Sequence, residues 1–183
     1  IAQAKTGSGK TAAFALALLS RLDPRRFQVQ AMVLCPTREL ADQVTQELRR
    51  LARAEENIKI LSLVGGTTMR PQMASLEHGA HIVVGTPGRI NDHLQQGSLN
   101  LATTSFLVLD QTDRMLDMGF GPQIDRVVSR MPKQRQTLLF SATLPPHIVK
   151  VSQQYTNNPL RVAVGEVNQP IRKIKQEVVR TVT

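Results

Sequence analysis

The chain has 183 residues, of which 41% are hydrophobic and 3% aromatic, and it carries a formal net charge of +9. These values predict one globular domain with a real core, and the positive charge favours a polyanionic partner such as nucleic acid, although few aromatic side chains could stack on bases. No apolar run approaches the roughly 20 residues that span a bilayer and no secretory signal is recognisable, so we expect a cytoplasmic protein without membrane contacts.

A glycine-rich loop followed by an apolar helix begins the chain. Gly7 and Gly9 let the backbone curl so that its amides face inward, and a helix that starts near Lys10 adds the positive end of its dipole. Lys10 can then reach the β and γ phosphates of a nucleotide, and the Thr11 hydroxyl can hold Mg²⁺. The general phosphate-loop pattern has glycine where this chain has Ala4, which leaves a glycine-rich turn before a buried helix as the alternative. The predicted nucleotide contacts are Ala4, Lys5, Thr6, Gly7, Ser8, Gly9, Lys10 and Thr11.

Short apolar runs alternate with helix-length segments along the rest of the chain. Runs rich in Val, Leu and Ile without polar alternation predict strands buried on both faces. They lie at residues 31–35, 58–64, 82–84, 106–109, 137–140 and, near the end, 160–164. Apolar residues at helical spacing predict helices around residues 40–51, 124–131 and 148–155. The alternation predicts an α/β fold, a parallel sheet with helices on both faces.

Polar or glycine-containing loops follow the predicted strands. In a parallel sheet the carboxyl ends of all strands lie at one edge, where open α/β sheets bind ligands. The phosphate loop is expected at the same edge, so six loops would converge there; the alternative is that loops after strands are polar in any protein. The residues concerned are Pro36, Thr37 and Arg38; Gly65 and Gly66; Thr86, Pro87, Gly88 and Arg89; Asp110, Gln111, Thr112 and Asp113; and Ser141 and Thr143.

In order and spacing, these loops resemble the motifs of the first RecA-like domain of DEAD-box ATP-dependent RNA helicases, which has a P-loop NTPase fold. The resemblance covers nearly the whole chain, includes residues 114–120 and is closest to bacterial members; the family's own loop also has alanine at the position of Ala4. It implies a RecA-like domain at residues 1–165 and the start of a linker toward a second RecA-like domain at residues 166–183. Because no initiator Met precedes Ile1, we expect a fragment, and the upstream glutamine motif that reads adenine in this family is absent from it. As an isolated domain we expect it to be a monomer.

The resemblance implies ATP and Mg²⁺ as cofactors and RNA as a partner. It makes Lys10, Asp110 and Gln111 the catalytic positions and assigns Mg²⁺ to Thr11 and Asp110. It assigns the RNA sugar-phosphate backbone to Pro36, Thr37, Arg38, Gly65, Gly66, Thr86, Pro87, Gly88 and Arg89. It assigns the coupling of nucleotide state to strand separation to Asp113, Ser141 and Thr143.

Gln111 departs from the pattern, because the family has there the glutamate that deprotonates the attacking water. A carboxamide can hydrogen-bond that water but cannot accept its proton at neutral pH. We therefore expect a chain that binds ATP, hydrolyses it negligibly and cannot unwind RNA without a second domain. Two alternatives are a hydrolysis-deficient, ATP-gated RNA clamp and a DNA-directed P-loop translocase.

Four of these residues also have ordinary structural explanations. Asp110 could cap the helix that follows it, and Ser141 and Thr143 could cap the last helix. Arg38 could pair with an acidic residue within the protein. The four histidines show no metal-ligand spacing with the single cysteine, Cys35, which we expect to be a small buried residue, so no metal beyond Mg²⁺ is predicted.

Overall fold

The computed structural model describes residues 1–5, 9–55 and 57–164, in which strands and helices alternate. The strands are β1 (Ala2–Ala4), β2 (Ala31–Leu34), β3 (Ile60–Leu63), β4 (Ile82–Gly85), β5 (Phe106–Leu109), β6 (Gln136–Ser141) and β7 (Val162–Val164). The helices are α1 (Lys10–Leu19), α2 (Arg38–Ala52), α3 (Met69–Glu77), α4 (Pro87–Gln95), α5 (Thr112–Asp117), α6 (Gly121–Ser129) and α7 (Pro146–Tyr155). None of these helices is long and apolar enough to cross a membrane.

The strands form one sheet in the order β3-β4-β2-β5-β6-β1-β7. Each neighbouring pair in the described residues is parallel. Every residue of the central strands β2, β4 and β5 is buried. Because both faces of these strands are covered, their sequences are continuous apolar runs. The predicted parallel sheet is confirmed, and the carboxyl ends of its strands share one edge.

Helices cover both faces of the sheet, as the sequence predicts. Alternate residues of β2 belong to different cores: Ala31 and Val33 pack with α1 and α2, whereas Met32 and Leu34 pack with α4, α5, α6 and α7. Each fully buried aliphatic side chain contributes about 1.5–3 kcal/mol. The two cores hold the strands rigidly, so that the loops at their carboxyl ends start from fixed positions.

The helix caps considered as alternative roles for Asp110, Ser141 and Thr143 are not observed. The N-cap of α5 is Gln111, so that Asp110 lies one residue too early. The N-cap of α7 is Pro145, and no side chain caps that helix. The three polar side chains bond instead to residues far away in the sequence, as described below.

Cys35 is a small buried residue, as predicted. It follows β2, is fully buried, and its amide donates to Gly85 O at 2.9 Å. Burial first, and the Asp110 carboxylate second, raise the pKa of its thiol well above the ordinary value. The thiol is therefore protonated and unreactive at neutral pH.

Candidate functional site

Loops from both halves of the sheet lie side by side along its carboxyl edge. The predicted convergence of six loops is confirmed by the parallel topology. In strand order, the edge carries Gly65 and Gly66 after β3, Thr86 after β4, Pro36 and Thr37 after β2, Asp110 after β5, Ala142 and Thr143 after β6, and Lys5 after β1. The edge thus has a glycine- and arginine-containing half and a half that carries Lys10 and Asp110.

The N-terminus of α1 lies at this edge. Ala4 ends β1 and is buried, and Lys5 is exposed. Gly9 is the N-cap of α1 with a left-handed φ of 78°, and among the described residues no side-chain cap bonds to the first amides of the helix. Such amides, with the positive end of the helix dipole, favour an anion. The other predicted contacts, Thr6, Gly7 and Ser8, lie outside the described residues.

Lys10 and Asp110 form a buried ion pair at the edge. Lys10 Nζ lies 2.9 Å from Asp110 Oδ1, and their side chains are only 9% and 4% exposed. Asp110 follows β5, and its amide donates to Leu34 O, which fixes the carboxylate at the end of the strand. Among the described residues, the Lys10 ammonium is the one partner of Asp110 Oδ1.

The residues around this pair fit Mg²⁺. Asp110 presents a buried carboxylate oxygen that receives no well-directed hydrogen bond from the described residues. Thr11 is half-buried in the first turn of α1, directly after Lys10. Carboxylate and hydroxyl oxygens are the hard ligands that Mg²⁺ takes beside phosphate oxygens and water. The described residues contain no group of three or more His, Cys, Asp or Glu that could hold a metal on its own.

Gln111 has a left-handed backbone, with φ 50° and ψ 54°. A side-chain-bearing residue adopts this conformation at a cost of about 1–3 kcal/mol, and such residues cluster at functional sites. Thr112 next to it is fully buried, and its hydroxyl donates to Leu109 O at 3.3 Å, so the fold accommodates the threonine without an unpaired group. The Gln111 carboxamide forms no hydrogen bond that caps α5.

Asp113 connects α5 to the segment after β6. Its Oδ2 accepts hydrogen bonds from the amide and hydroxyl of Thr143 at 3.1 and 2.9 Å. Its amide donates to Ser141 Oγ at 3.3 Å. Ser141 therefore serves the first turn of α5 rather than the last helix, and the three residues predicted to act together are in contact.

We expect Asp113→Ala to release the segment after β6. The substitution removes both bonds from Thr143, and we expect a loss of about 1–2 kcal/mol in the free energy of unfolding, since the pair is partly exposed. Urea denaturation measures this loss, and hydrogen exchange at the Thr143 amide should become faster. Asp117→Ala is the control, because Asp117 is an exposed acid on the same helix. Equal effects of both substitutions would contradict the predicted connection.

The N-termini of α2 and α4 also lie at the edge. Thr37 is the N-cap of α2, and its hydroxyl accepts from the Leu40 amide at 3.3 Å. Thr86 is the N-cap of α4 without a side-chain bond, and Pro87 and Gly88 form its first positions. A Cβ built on Gly88 would meet no atom within 4 Å, so a ligand can approach this backbone closely.

Arg38 lies against Gly66, so the loops after β2 and β3 touch. A Cβ built on Gly66 would sit 2.5 Å from Arg38 Nη1, and the φ of 78° at Gly66 also favours glycine. Arg38 is exposed, and the internal pairing considered above is not found within the described residues. Of the neighbouring predicted contacts, Pro36 is buried and Gly65 is half-buried.

Arg89 is held much more firmly than Arg38. Its side chain is 11% exposed. Nη1 donates to Gln72 Oε1 at 3.0 Å and Nη2 donates to Thr67 O at 2.9 Å, while Nε lies 3.6 Å from Asp92 Oδ2. The guanidinium of α4 is thereby fixed to the turn after β3.

The family of the chain follows from its sequence. A sequence profile described as DEAD/DEAH box helicase matches residues 1–151, which include the loops that follow β1 to β6. This chain belongs to the DEAD/DEAH box helicase family. The sheet with its two helical layers is accordingly the RecA-like α/β fold of this family, as the resemblance implied.

Two bacterial ATP-dependent RNA helicases are similar to this chain over most of its length. The ATP-dependent RNA helicase DbpA of Escherichia coli (strain K12) is 55% identical over 166 residues, which are 91% of this chain and 36% of that protein. The ATP-dependent RNA helicase DeaD of Mycobacterium tuberculosis (strain ATCC 25618 / H37Rv) is 43% identical over 177 residues, 97% of this chain and 31% of that protein. The chain spans about a third of the length of these curated relatives.

Solved structures of DEAD-box proteins share the fold. The crystal structure of a DEAD box protein from the hyperthermophile Methanococcus jannaschii superposes with a TM-score of 0.84 at 41% identity and covers 88% of this chain and 44% of that one. The yeast DEAD-box splicing factor Prp28 gives a TM-score of 0.85 at 33% identity, with 92% of this chain and 42% of that one covered.

Two residues near the DEAD-box motifs escape a reading of the sequence. Gln72 on α3 and His93 on α4 belong to none of the motifs, and their spacing does not suggest a metal site. Nevertheless Gln72 accepts a hydrogen bond from Arg89, and His93 hydrogen-bonds to Gln72. The local sequence offers one weak signal: His93 lies four residues after Arg89 and thus on the same side of the helix.

Proposed function

We propose that this chain is the first RecA-like domain of an ATP-dependent RNA helicase, which binds ATP with Mg²⁺ and the sugar-phosphate backbone of RNA at the carboxyl edge of its sheet. The domain spans residues 1–165, and residues 166–183 start the linker to a second RecA-like domain of the same polypeptide. The observation that carries this proposal is the buried pair of Lys10 and Asp110 on the same sheet edge as Arg38. The domain is a cytoplasmic monomer that cannot unwind RNA alone, because the arginines that complete phosphoryl transfer come from the second domain.

The buried ion pair supports nucleotide binding. A phosphate oxygen can replace Asp110 beside Lys10, and Mg²⁺ can replace Lys10 beside Asp110, so that both buried charges keep an opposite partner. Bound Mg²⁺ neutralises the charge of the β and γ phosphates. Thr11 and Asp110 would hold it, and the first amides of α1 would bind phosphate oxygens.

The arginine-containing half of the edge supports RNA binding through phosphates. Exposed Arg38 and the N-termini of α2 and α4, with Thr37, Thr86 and Gly88, offer positive charge and amide donors to phosphate oxygens. The chain has one tyrosine and no tryptophan, which favours backbone contacts over base stacking. Binding should therefore depend weakly on RNA sequence and strongly on salt.

Gln111 favours a second candidate function, an ATP-gated RNA clamp that closes on RNA without hydrolysing ATP. Its carboxamide follows Asp110 at the nucleotide half of the edge and cannot accept a proton from water at neutral pH. A DNA-directed translocase would differ in the nucleic acid it binds. The relatives are named RNA helicases, which favours RNA.

Titration of the 183-residue chain separates the RNA-directed functions from the DNA-directed translocase. Fluorescence anisotropy with a labelled RNA and with DNA of the same sequence, each with and without Mg²⁺ and ATP, measures both affinities. Tighter binding of RNA than of DNA, with ATP bound in a Mg²⁺-dependent manner, is the expected result. Equal affinity for both nucleic acids would favour the translocase, and failure to bind ATP would refute all three functions.

Arg38→Ala should weaken RNA binding by about 10-fold to 150-fold, because a charge-assisted hydrogen bond to phosphate contributes about 1.5–3 kcal/mol. The slope of log affinity against log salt should become flatter by about 0.7, the value for one phosphate contact on a single strand. Anisotropy at several salt concentrations measures both quantities.

Arg50→Ala is the matched control for Arg38→Ala. It removes the same charge from the other end of α2, where Arg50 pairs with Glu47 on the surface. RNA affinity and salt slope should stay unchanged in this variant. If the two variants lose affinity equally, the effect is one of net charge, and Arg38 is not part of the RNA site.

A further inference from the structure

The side chain of Gln72 joins three segments at the arginine-containing half of the edge. Its Nε2 donates to Val64 O at 3.0 Å and to Thr67 Oγ1 at 3.2 Å. Its Oε1 accepts from Arg89 Nη1 at 3.0 Å and lies 2.8 Å from His93 Nε2. Both donors and both acceptor positions of one carboxamide are thus in use, and they connect α3 to the turn after β3 and to α4.

The chemistry of the partners fixes the orientation of this carboxamide. A guanidinium can only donate, so the Gln72 oxygen has to face Arg89, and its amide nitrogen then faces the Val64 carbonyl. His93 is fully buried, with its Nδ1 2.8 Å from Ser98 Oγ. Burial first, and the charge of Arg89 second, lower the pKa of His93, which keeps its ring neutral with Nε2–H as the donor to Gln72.

We propose that Gln72, supported by His93, is a positioning residue that holds Arg89 and the turn at residues 65–68 in the arrangement that binds RNA phosphates. The inference rests on the proposed RNA-binding function of this half of the edge. Gln72 itself does not contact RNA. It keeps the guanidinium of Arg89 and the turn beside Arg38 from moving independently. RNA binding therefore loses less conformational entropy in these groups.

Gln72→Met tests the proposal, because methionine has a similar length but offers none of the four hydrogen bonds. We expect RNA affinity to fall about tenfold, the effect of newly mobile side chains and a loosened turn. ATP affinity should stay unchanged, since Lys10 and Asp110 lie in the other half of the edge. Gln72→Glu is a second variant: it keeps an acceptor for Arg89 but no donor for Val64 and Thr67, and we expect an intermediate loss of RNA affinity.

Gln30→Met is the matched control. Gln30 is also a carboxamide with backbone partners, Asp23 N, Asp23 O and Arg26 O, but it is buried, whereas Gln72 is half-buried, and it precedes β2 at the opposite edge of the sheet. Its substitution should lower the melting temperature of the 183-residue chain as Gln72→Met does and leave RNA affinity unchanged. Equal losses of RNA affinity in the two variants would reduce Gln72 to a purely structural residue and overturn the proposal.

The outcomes also separate this inference from the proposed function. If the unaltered chain fails to bind RNA, the RNA-binding function itself is refuted. If Gln72→Met and Gln72→Glu both bind RNA as tightly as the unaltered chain does, the RNA-binding function stands and the positioning role is refuted. A loss confined to the Gln72 variants, with ATP affinity retained, supports the positioning role.

Discussion

Gln111→Glu should raise RNA-stimulated ATP hydrolysis by about 100-fold to 10,000-fold, the usual contribution of a general base. The reason is that glutamate can accept the proton of the attacking water, whereas the carboxamide can only hydrogen-bond it. The measurement is steady-state phosphate release with saturating RNA, in a protein in which this chain is joined to a second RecA-like domain. ATP affinity should change little, because Lys10, Thr11 and Asp110 are untouched.

The substitution of Gln111 by glutamate changes the proton acceptor without changing the strain of the backbone. Glutamine and glutamate have the same shape, so both pay the same cost for the left-handed conformation with φ 50° and ψ 54°. A rise in turnover therefore reports on the proton acceptor rather than on a rearranged loop. Gln111→Ala is the control and should stay as slow as the unaltered protein. Equal turnover by the glutamine and glutamate proteins would show that another group takes the proton.

The centre of the sheet was predictable because its strands are buried on both faces. Continuous apolar runs predict β2, β4 and β5 to within a residue, since no polar side chain interrupts them. The start of β3 was predicted two residues too early. Ile58 extends the apolar pattern past Lys59, but the Lys59 amide donates to His81 Nδ1 and so leaves the regular ladder.

The caps could not be predicted from local sequence, because distant partners compete for the same side chains. Aspartate is a common N-cap residue and Asp110 lies just before a helix, yet its carboxylate pairs with Lys10, which lies far earlier in the sequence. Ser141 and Thr143 precede a helix, yet they bond to Asp113 across the sheet edge. Cap rules weigh only neighbours in the sequence, and the stronger charge-assisted partners here come from tertiary structure.

The residues of the candidate site that belong to a motif could be predicted from the sequence. The residues whose role depends on tertiary contacts could not. The order of motifs indicates that Lys10, Asp110 and Arg38 share an edge. It does not indicate that Arg89 is bound by Gln72, because a glutamine in a polar stretch of α3 carries no local signal. The roles of these residues in binding and hydrolysis stay predictions that the variants described here test.

Lys10→Met should destabilise the chain by about 3–5 kcal/mol and weaken ATP binding by at least tenfold. The substitution leaves the Asp110 carboxylate buried without the Oδ1 partner that it has among the described residues, and removing one member of a buried ion pair costs this amount. The loss of ATP affinity follows from a charge-assisted bond of about 1.5–3 kcal/mol to phosphate. Urea denaturation without nucleotide and titration with a fluorescent ATP analogue measure the two effects separately.

A double-mutant cycle distinguishes the pair from two independent side chains. Lys10→Met combined with Asp110→Asn replaces both charges, so no buried charge is left alone, and most of the lost stability should return while ATP binding stays weak. Glu47→Gln at the exposed pair with Arg50 is the control, because solvent screens that pair and its loss should leave unfolding almost unchanged. Additive losses in the double variant would mean that Lys10 and Asp110 do not depend on each other. The phosphate site would then lack the feature that ties nucleotide binding to this edge of the sheet.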